Sequence, residues 1–141
     1  MQHPRRTGFD AHDLARDAAI LVLELVTTVR PELRSLADQT VRATTSVALN
    51  LAEGAGRQGR DRIHHWRISY GSALEARTAL ELLVATGSVD AEAAAAADVL
   101  LDRVAGLFFR VTPWRWKNRD RLDVDVAMPR PARRSQSSSS V

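Results

Sequence analysis

Four stretches of this sequence repeat apolar residues at intervals of three and four, and each is closed by proline or glycine. Leu14, Ala18, Leu21, Leu25 and Val29 form the first stripe, with Ile20, Leu23 and Val26 widening it and Pro31 beyond. Ala37, Val41, Thr44, Ala48 and Leu51 form the second, extended by Ala43, Val47 and Ala52 and stopped at Gly54 and Gly56. A third spans about Arg60 to Thr86, with Ile63, Trp66, Tyr70, Ala73, Leu74, Leu80 and Leu83 on its apolar face and Gly87 at its end. A fourth begins with Glu92 and an alanine run and carries Val99, Leu100, Arg103, Val104, Leu107 and Phe108 toward Pro113. This period predicts amphipathic helices and no strands. Asp10 is expected to cap the first helix, with Asp13 near its positive end, and Ser88 or Asp90 the fourth. Connections of two to five residues place successive helices antiparallel, as an all-α up-down-up-down four-helix bundle roughly 30 Å long.

Composition agrees with packed helices: apolar residues make up 45% of the chain and aromatic residues 5%. At 141 residues one domain with a real core is the simplest expectation. Residues 1–8 read as a flexible N-terminus, 9–112 as the bundle, and 113–141 as a basic Trp/Arg/Ser-rich tail, disordered from about 128. There is no cysteine, so no disulfide framework. The N-terminal residues run into acidic positions rather than an apolar segment, and no run is long enough to cross a membrane. A cytoplasmic protein with no membrane partner is expected.

The net charge is +3. The pI of about 10.5 reflects arginine, which stays charged, far more than lysine. Charge is unevenly placed: residues 10–24 are acidic on balance, while 110–121 carry Arg110, Arg115, Lys117, Arg119 and Arg121.

The segment "LNLAEGAGRQGRDR", residues 49–62, invites a phosphate-binding reading. It lacks the lysine and spacing of a Walker A loop, and its Gly54, Gly56 and Gly59 have no βαβ context. Glu53 and Glu75 could face each other across helices two and three, yet His64 and His65 lack the glutamate three residues earlier that a di-iron bundle uses. No nucleophile–base set or metal-ligand set stands out, so no cofactor, metal or enzymatic activity is expected. The structural reading is a tight corner. There Gly54 and Gly56 would take the left-handed conformation, Glu53 would accept bonds from the first amides of helix three, and Arg57 would lock the corner or face a neighbouring subunit. Gly71, in the middle of helix three, implies close backbone contact with another helix.

Asn50-Leu51-Ala52-Glu53-Gly54-Ala55-Gly56-Arg57 resembles the N-[IL]-A-E-G-x-G-R signature of a four-helix bundle family named for proteins encoded in intervening sequences of bacterial 23S ribosomal RNA genes. Residues 39–46, "QTVRATTS", resemble its Q-x-x-R-A-x-x-S stretch. Residues 68–75, "ISYGSALE", with Gly71, Ser72 and Glu75, resemble its I-A-x-G-S-x-x-E. The likeness covers about residues 9–111, with His65 and Ser69 departing from the usual residues. It implies an antiparallel bundle and a homopentamer. A related branch, the accessory variability protein of diversity-generating retroelements, binds reverse transcriptase and nucleic acid.

Two functions are therefore expected. One is a non-enzymatic nucleic-acid or ribonucleoprotein accessory module, contacting RNA or other nucleic acid through Arg57, Arg60, Arg62, Arg67, Arg110, Trp114, Arg115, Trp116, Lys117, Arg119 and Arg121, since arginines meet phosphates and exposed tryptophans stack on bases. The other is a homo-oligomeric scaffold for a protein partner that never touches nucleic acid.

Overall fold

The computed structural model describes residues 10–111, with side chains as far as residue 108. It contains α1 (Asp10–Leu25), α2 (Arg34–Ala55), α3 (Gly59–Ala85) and α4 (Ala91–Val111), and no strand among the described residues. Between α1 and α2 the chain makes two short 3-10 turns, Val26–Thr28 and Pro31–Leu33. Pro31 occupies the first turn of the second, where its missing N–H leaves nothing unpaired.

Each helix packs on two others: α1 on α2 and α4, and α3 on α2 and α4. Partners along α2 and α3 run in opposite order. Gln39 meets Glu75, Ser46 meets Ser72, Val47 meets Ser69, and the Gly54 carbonyl meets Arg62. Arg77 likewise reaches Asp98 and Asp102 across the α3–α4 connection. The order of partners along α2 and α3 agrees with the antiparallel packing expected of that pair.

One core runs through the four helices. Leu51, Leu80, Leu83, Leu101, Val22, Val47 and Val104 are its large, fully buried members. Each such side chain contributes about 1.5–3 kcal/mol on burial. On α1 and α4 much of the buried surface is alanine: Ala11, Ala15, Ala18 and Ala19, then Ala94, Ala97 and Ala105.

The apolar stripes are narrower than the sequence suggests. On α1 the core positions are Ala11, Ala15, Ala18, Val22 and Leu25, continuing to Val29, while Ile20 and Leu23 face outward. On α3 Ile63 and Leu74 are exposed, and on α4 Val99 and Leu107 are. A bundle helix buries about a third of its circumference, so apolar residues one step off the seam remain outside.

At the helix ends the Asp10 expectation is corrected, while Asp13, Asp90 and Gly87 stand where the sequence places them. Asp10 already belongs to α1, and Asp13 is buried, with Arg16 3.2 Å from its carboxylate. Asp90 caps α4 by accepting the Ala93 amide at 2.7 Å. Gly87 does end α3 in the left-handed conformation, at φ 64°. The expectations for residues 1–8 and for the tail from Thr112 lie outside the described residues.

The contrast between Leu51 and Leu49 tests the core assignment. Leu51 is wholly buried, whereas Leu49, two residues earlier, is 69% exposed. Leu51→Ala should lower unfolding free energy by about 2–5 kcal/mol. Leu49→Ala should stay within about 0.5 kcal/mol of the parent. Urea unfolding followed by helical circular dichroism reads both.

Candidate functional site

The glycine–arginine segment forms the corner between α2 and α3, and its construction differs from the sequence expectation. Gly54 is helical and buried, and Gly56 sits at φ −79°, ψ −6°, on the right-handed side. The left-handed residue is Gly59, at φ 55°, where α3 begins. Helix α2 closes through the Gly56 amide on the Ala52 and Glu53 carbonyls and the Arg57 amide on the Gly54 carbonyl. Gln58 is extended, and the chain then turns back at Gly59.

Gly54 is required for a different reason. A Cβ placed there would lie 2.7 Å from Cδ1 and Nε1 of Trp66, and 3.3 Å from the Arg62 carbonyl. The indole of α3 thus occupies the space a side chain of α2 would need. Arg62 completes this contact. Its Nε donates to the carbonyls of Arg57 at 2.8 Å and Gly54 at 3.2 Å, and its guanidinium lies 5.8 Å from the Trp66 ring centroid. On its other side Trp66 meets Phe108 of α4 at 5.8 Å between ring centroids.

Glu53 does not accept amides from α3. It is half-exposed and is bound by Arg57, whose Nε donates to its carboxylate at 2.9 Å. Arg57 also reaches Asp61 at 3.3 Å, so one guanidinium ties the last turn of α2 to the first turn of α3. The hydrogen bond from Arg57, reinforced by its charge, holds the Glu53 carboxyl below the ordinary carboxylate range. Glu53, and then Asp61, raise the Arg57 guanidinium in turn. Arg57 therefore locks the corner.

Above the corner a polar seam runs between α2 and α3. Asn50 donates through its amide to the carbonyl and hydroxyl of Ser46 at 3.0 and 3.1 Å. That orientation turns its oxygen toward His65, whose Nδ1 lies 3.1 Å away and acts as the donor. Ser46 and Ser72 share a hydrogen bond of 2.9 Å, and Ser69 donates to the Val47 carbonyl at 3.0 Å. Gln39 donates to Glu75 and accepts from Arg42 at 2.6 Å. Asn50, Ser46 and Ser72 thus form one set of partners with His65, and Gln39, Glu75 and Arg42 form another. Glu75 answers Gln39, not Glu53.

The proposed nucleic-acid residues divide into three groups. Arg57 and Arg62 are committed to the corner. Arg60 and Arg67 lie exposed on the outer side of α3. The side chain of Arg110 and the segment from Trp114 to Arg121, with Trp116, Arg115, Lys117 and Arg119, fall outside the described side chains. Gly71 differs from its expectation: a Cβ there would meet nothing within 4 Å, so among the described residues no other helix approaches it. The residue set that the sequence reading missed is Arg77 with Asp98 and Asp102, at 2.7 and 2.6 Å. Two aspartates four apart on one helix, opposite a lone arginine at the mirrored position of an antiparallel neighbour, were the available signal. Asp98 is the main cause holding the Arg77 guanidinium above its usual value.

Two outcomes test the corner. Gly54→Ala should lower stability by about 1–3 kcal/mol through overpacking against Trp66. Gly56→Ala, whose Cβ would sit 3.6 Å from the Glu53 carbonyl at an ordinary φ, should be neutral or slightly stabilising. Equal losses would remove the Trp66 contact as the cause. The depressed Glu53 carboxyl also gives a sign in pH. Its contribution is present above the ordinary carboxylate pKa and is lost as pH falls through the lower folded value. Arg57→Gln should therefore make the acid limb of a pH–stability curve shallower.

A family model described as 23S rRNA-intervening sequence protein matches residues 9–109. No curated protein matches. Among solved structures, a protein of unknown function from the S23 ribosomal protein family of Bacteroides thetaiotaomicron is similar, with a TM-score of 0.66 and 23% identity. The match covers 73% of this chain and 98% of that one, and at this identity it shows the fold alone. The extent of the family match, on a bundle whose signature residues are one another's partners, means that this chain belongs to the 23S rRNA-intervening sequence protein family.

Proposed function

We propose that the chain is a non-enzymatic, homo-oligomeric scaffold whose outer helix faces bind protein. The observation that carries this reading is the apolar surface the bundle leaves outside its core. Leu49, Val99, Leu82 and Leu23 are each about half exposed or more, at 69%, 56%, 50% and 48%. The polar groups of the signature are meanwhile occupied with one another. Asn50 holds His65, and Arg57 holds Glu53 and Asp61, so they serve the corner rather than a substrate.

Nucleic-acid or ribonucleoprotein binding is the second reading. Arg60 and Arg67, exposed seven residues apart on one side of α3, favour it. Two such arginines per chain make a weak patch, which an oligomer would multiply.

Light scattering of the purified chain, with and without a short structured RNA at low and moderate salt, separates the two. The scaffold reading predicts an oligomer whose mass RNA does not change. A mass gain with RNA that salt reverses would transfer the conclusion to nucleic-acid binding, because phosphate neutralisation releases counterions. A monomer under all conditions would overturn the oligomeric scaffold.

A further inference from the structure

Alanines on α4 leave a space beside α3 that the described chain does not fill. Arg77, Glu81 and Val84 follow one another at i, i+4 and i+7 and so share one side of α3; Ala91, Ala95 and Asp98 have the same spacing on α4. The two rows line an open groove of about 340 Å³ with Leu80 and Ala94 between them. Leu80 and Ala94 are buried and form its floor, whereas Ala91 and Ala95 stand exposed on its α4 wall. The bridge from Arg77 to Asp98 and Asp102 closes one end. Val99, one turn beyond Ala95 on the same side of α4, carries apolar surface past that end and is 56% exposed. The groove runs for about 10–12 Å along each helix, roughly two helical turns.

Charge indicates what fits there. The chain as a whole is positive, at +3, but this part of it is acidic. From Arg77 to Asp102 the acids are Glu81, Asp90, Glu92, Asp98 and Asp102, and the only basic residue is Arg77, which Asp98 and Asp102 already engage. Glu81 is exposed on the α3 wall, and Glu92 is exposed in the first turn of α4. An apolar floor with an acidic rim fits a partner with an apolar stripe and basic flanks, and it repels phosphates. The form of the partner follows from the walls. Helices satisfy their own backbone groups, so they offer no edge to an extended peptide, whereas a helix laid in a groove binds through side chains alone. Two turns of such a helix present apolar residues at i, i+4 and i+7 over the same length of about 10 Å. A small molecule would be left largely in water by a groove open along its length.

We propose that the α3–α4 groove docks a basic amphipathic helix of a partner protein. Its apolar stripe lies over Leu80, Ala91 and Ala95, and its lysines or arginines meet Glu81 and Glu92. This inference rests on the protein-binding reading above and names the chemistry of the partner.

The test is a fluorescence-anisotropy titration with the full chain. The probe is a labelled peptide of about 15 residues, long enough to form a helix, with leucines at i, i+3, i+4 and i+7 spacing and lysines elsewhere. A peptide of the same composition with its leucines scattered around the helix should bind about tenfold more weakly. Ala95→Phe, which fills the groove from within, and Glu81→Gln with Glu92→Gln, which neutralises its rim, should each weaken binding of the first peptide about tenfold. Glu24→Gln with Asp38→Asn removes two exposed acids from α1 and α2 and should leave binding unchanged. Circular dichroism confirms that each variant keeps its helices. Failure of the first peptide to bind, equal binding of the scattered one, or equal weakening by the α1–α2 pair would overturn the groove assignment. So would a fall in the solution mass of the unliganded chain on Ala95→Phe, which would give the groove to a second copy. The scaffold reading fails separately, by the mass gain with RNA described above, which the peptide titration does not read.

Discussion

The indole of Trp66 lying against the bare backbone of Gly54 is the contact on which the arrangement of the helices depends. It fixes how near α3 comes to α2 at their shared corner. Through Phe108 the same ring joins both to α4. Arg62 covers it and satisfies two carbonyls where α2 ends, so the helix terminus and the tertiary contact are closed by one side chain. Arg57 then holds the two helix ends at the surface through Glu53 and Asp61. As a surface ion-pair set it contributes modestly and mainly sets geometry.

From this corner the α2–α3 pair extends as a polar seam. Ser46, Asn50, His65, Ser69 and Ser72 are small or amphipathic groups that satisfy one another or a carbonyl across the interface. Buried polar groups are tolerated only when partnered, and a set of this kind fixes helix register more sharply than interchangeable aliphatic contacts do. On α1 and α4 alanine dominates the buried surface instead, and the large aliphatic side chains of all four helices meet at the centre.

The fold was legible because four stretches kept a helical period and were punctuated by Pro31, the 54–59 glycines and Gly87. The residues of the corner were legible too, but their roles were not. Gly54 and Gly56 have the same letter and opposite requirements. One makes room for Trp66, the other needs no special freedom, and the left-handed turn belongs to Gly59. Which glycine takes which role depends on where Trp66 arrives from α3, a tertiary fact that no local pattern encodes. The apolar stripes are narrower in the structure than in the sequence for a related reason. Ile20, Leu23 and Val99 have the chemistry of core residues, and only the neighbouring helices decide that they lie outside. The position of Glu53 in the sequence suggests the inner side of the turn, whereas its partner in the structure is Arg57, one helical turn on.

The most direct measurement of the central contact is a double-mutant cycle on unfolding free energy between Gly54→Ala and Trp66→Leu. If the indole occupies the space a side chain at position 54 would need, the alanine should destabilise the parent and lose most of that effect once the ring is removed, with a coupling of about 1 kcal/mol or more. Strict additivity of the two substitutions would show that Gly54 is required for some reason other than Trp66, and would contradict this account of the corner.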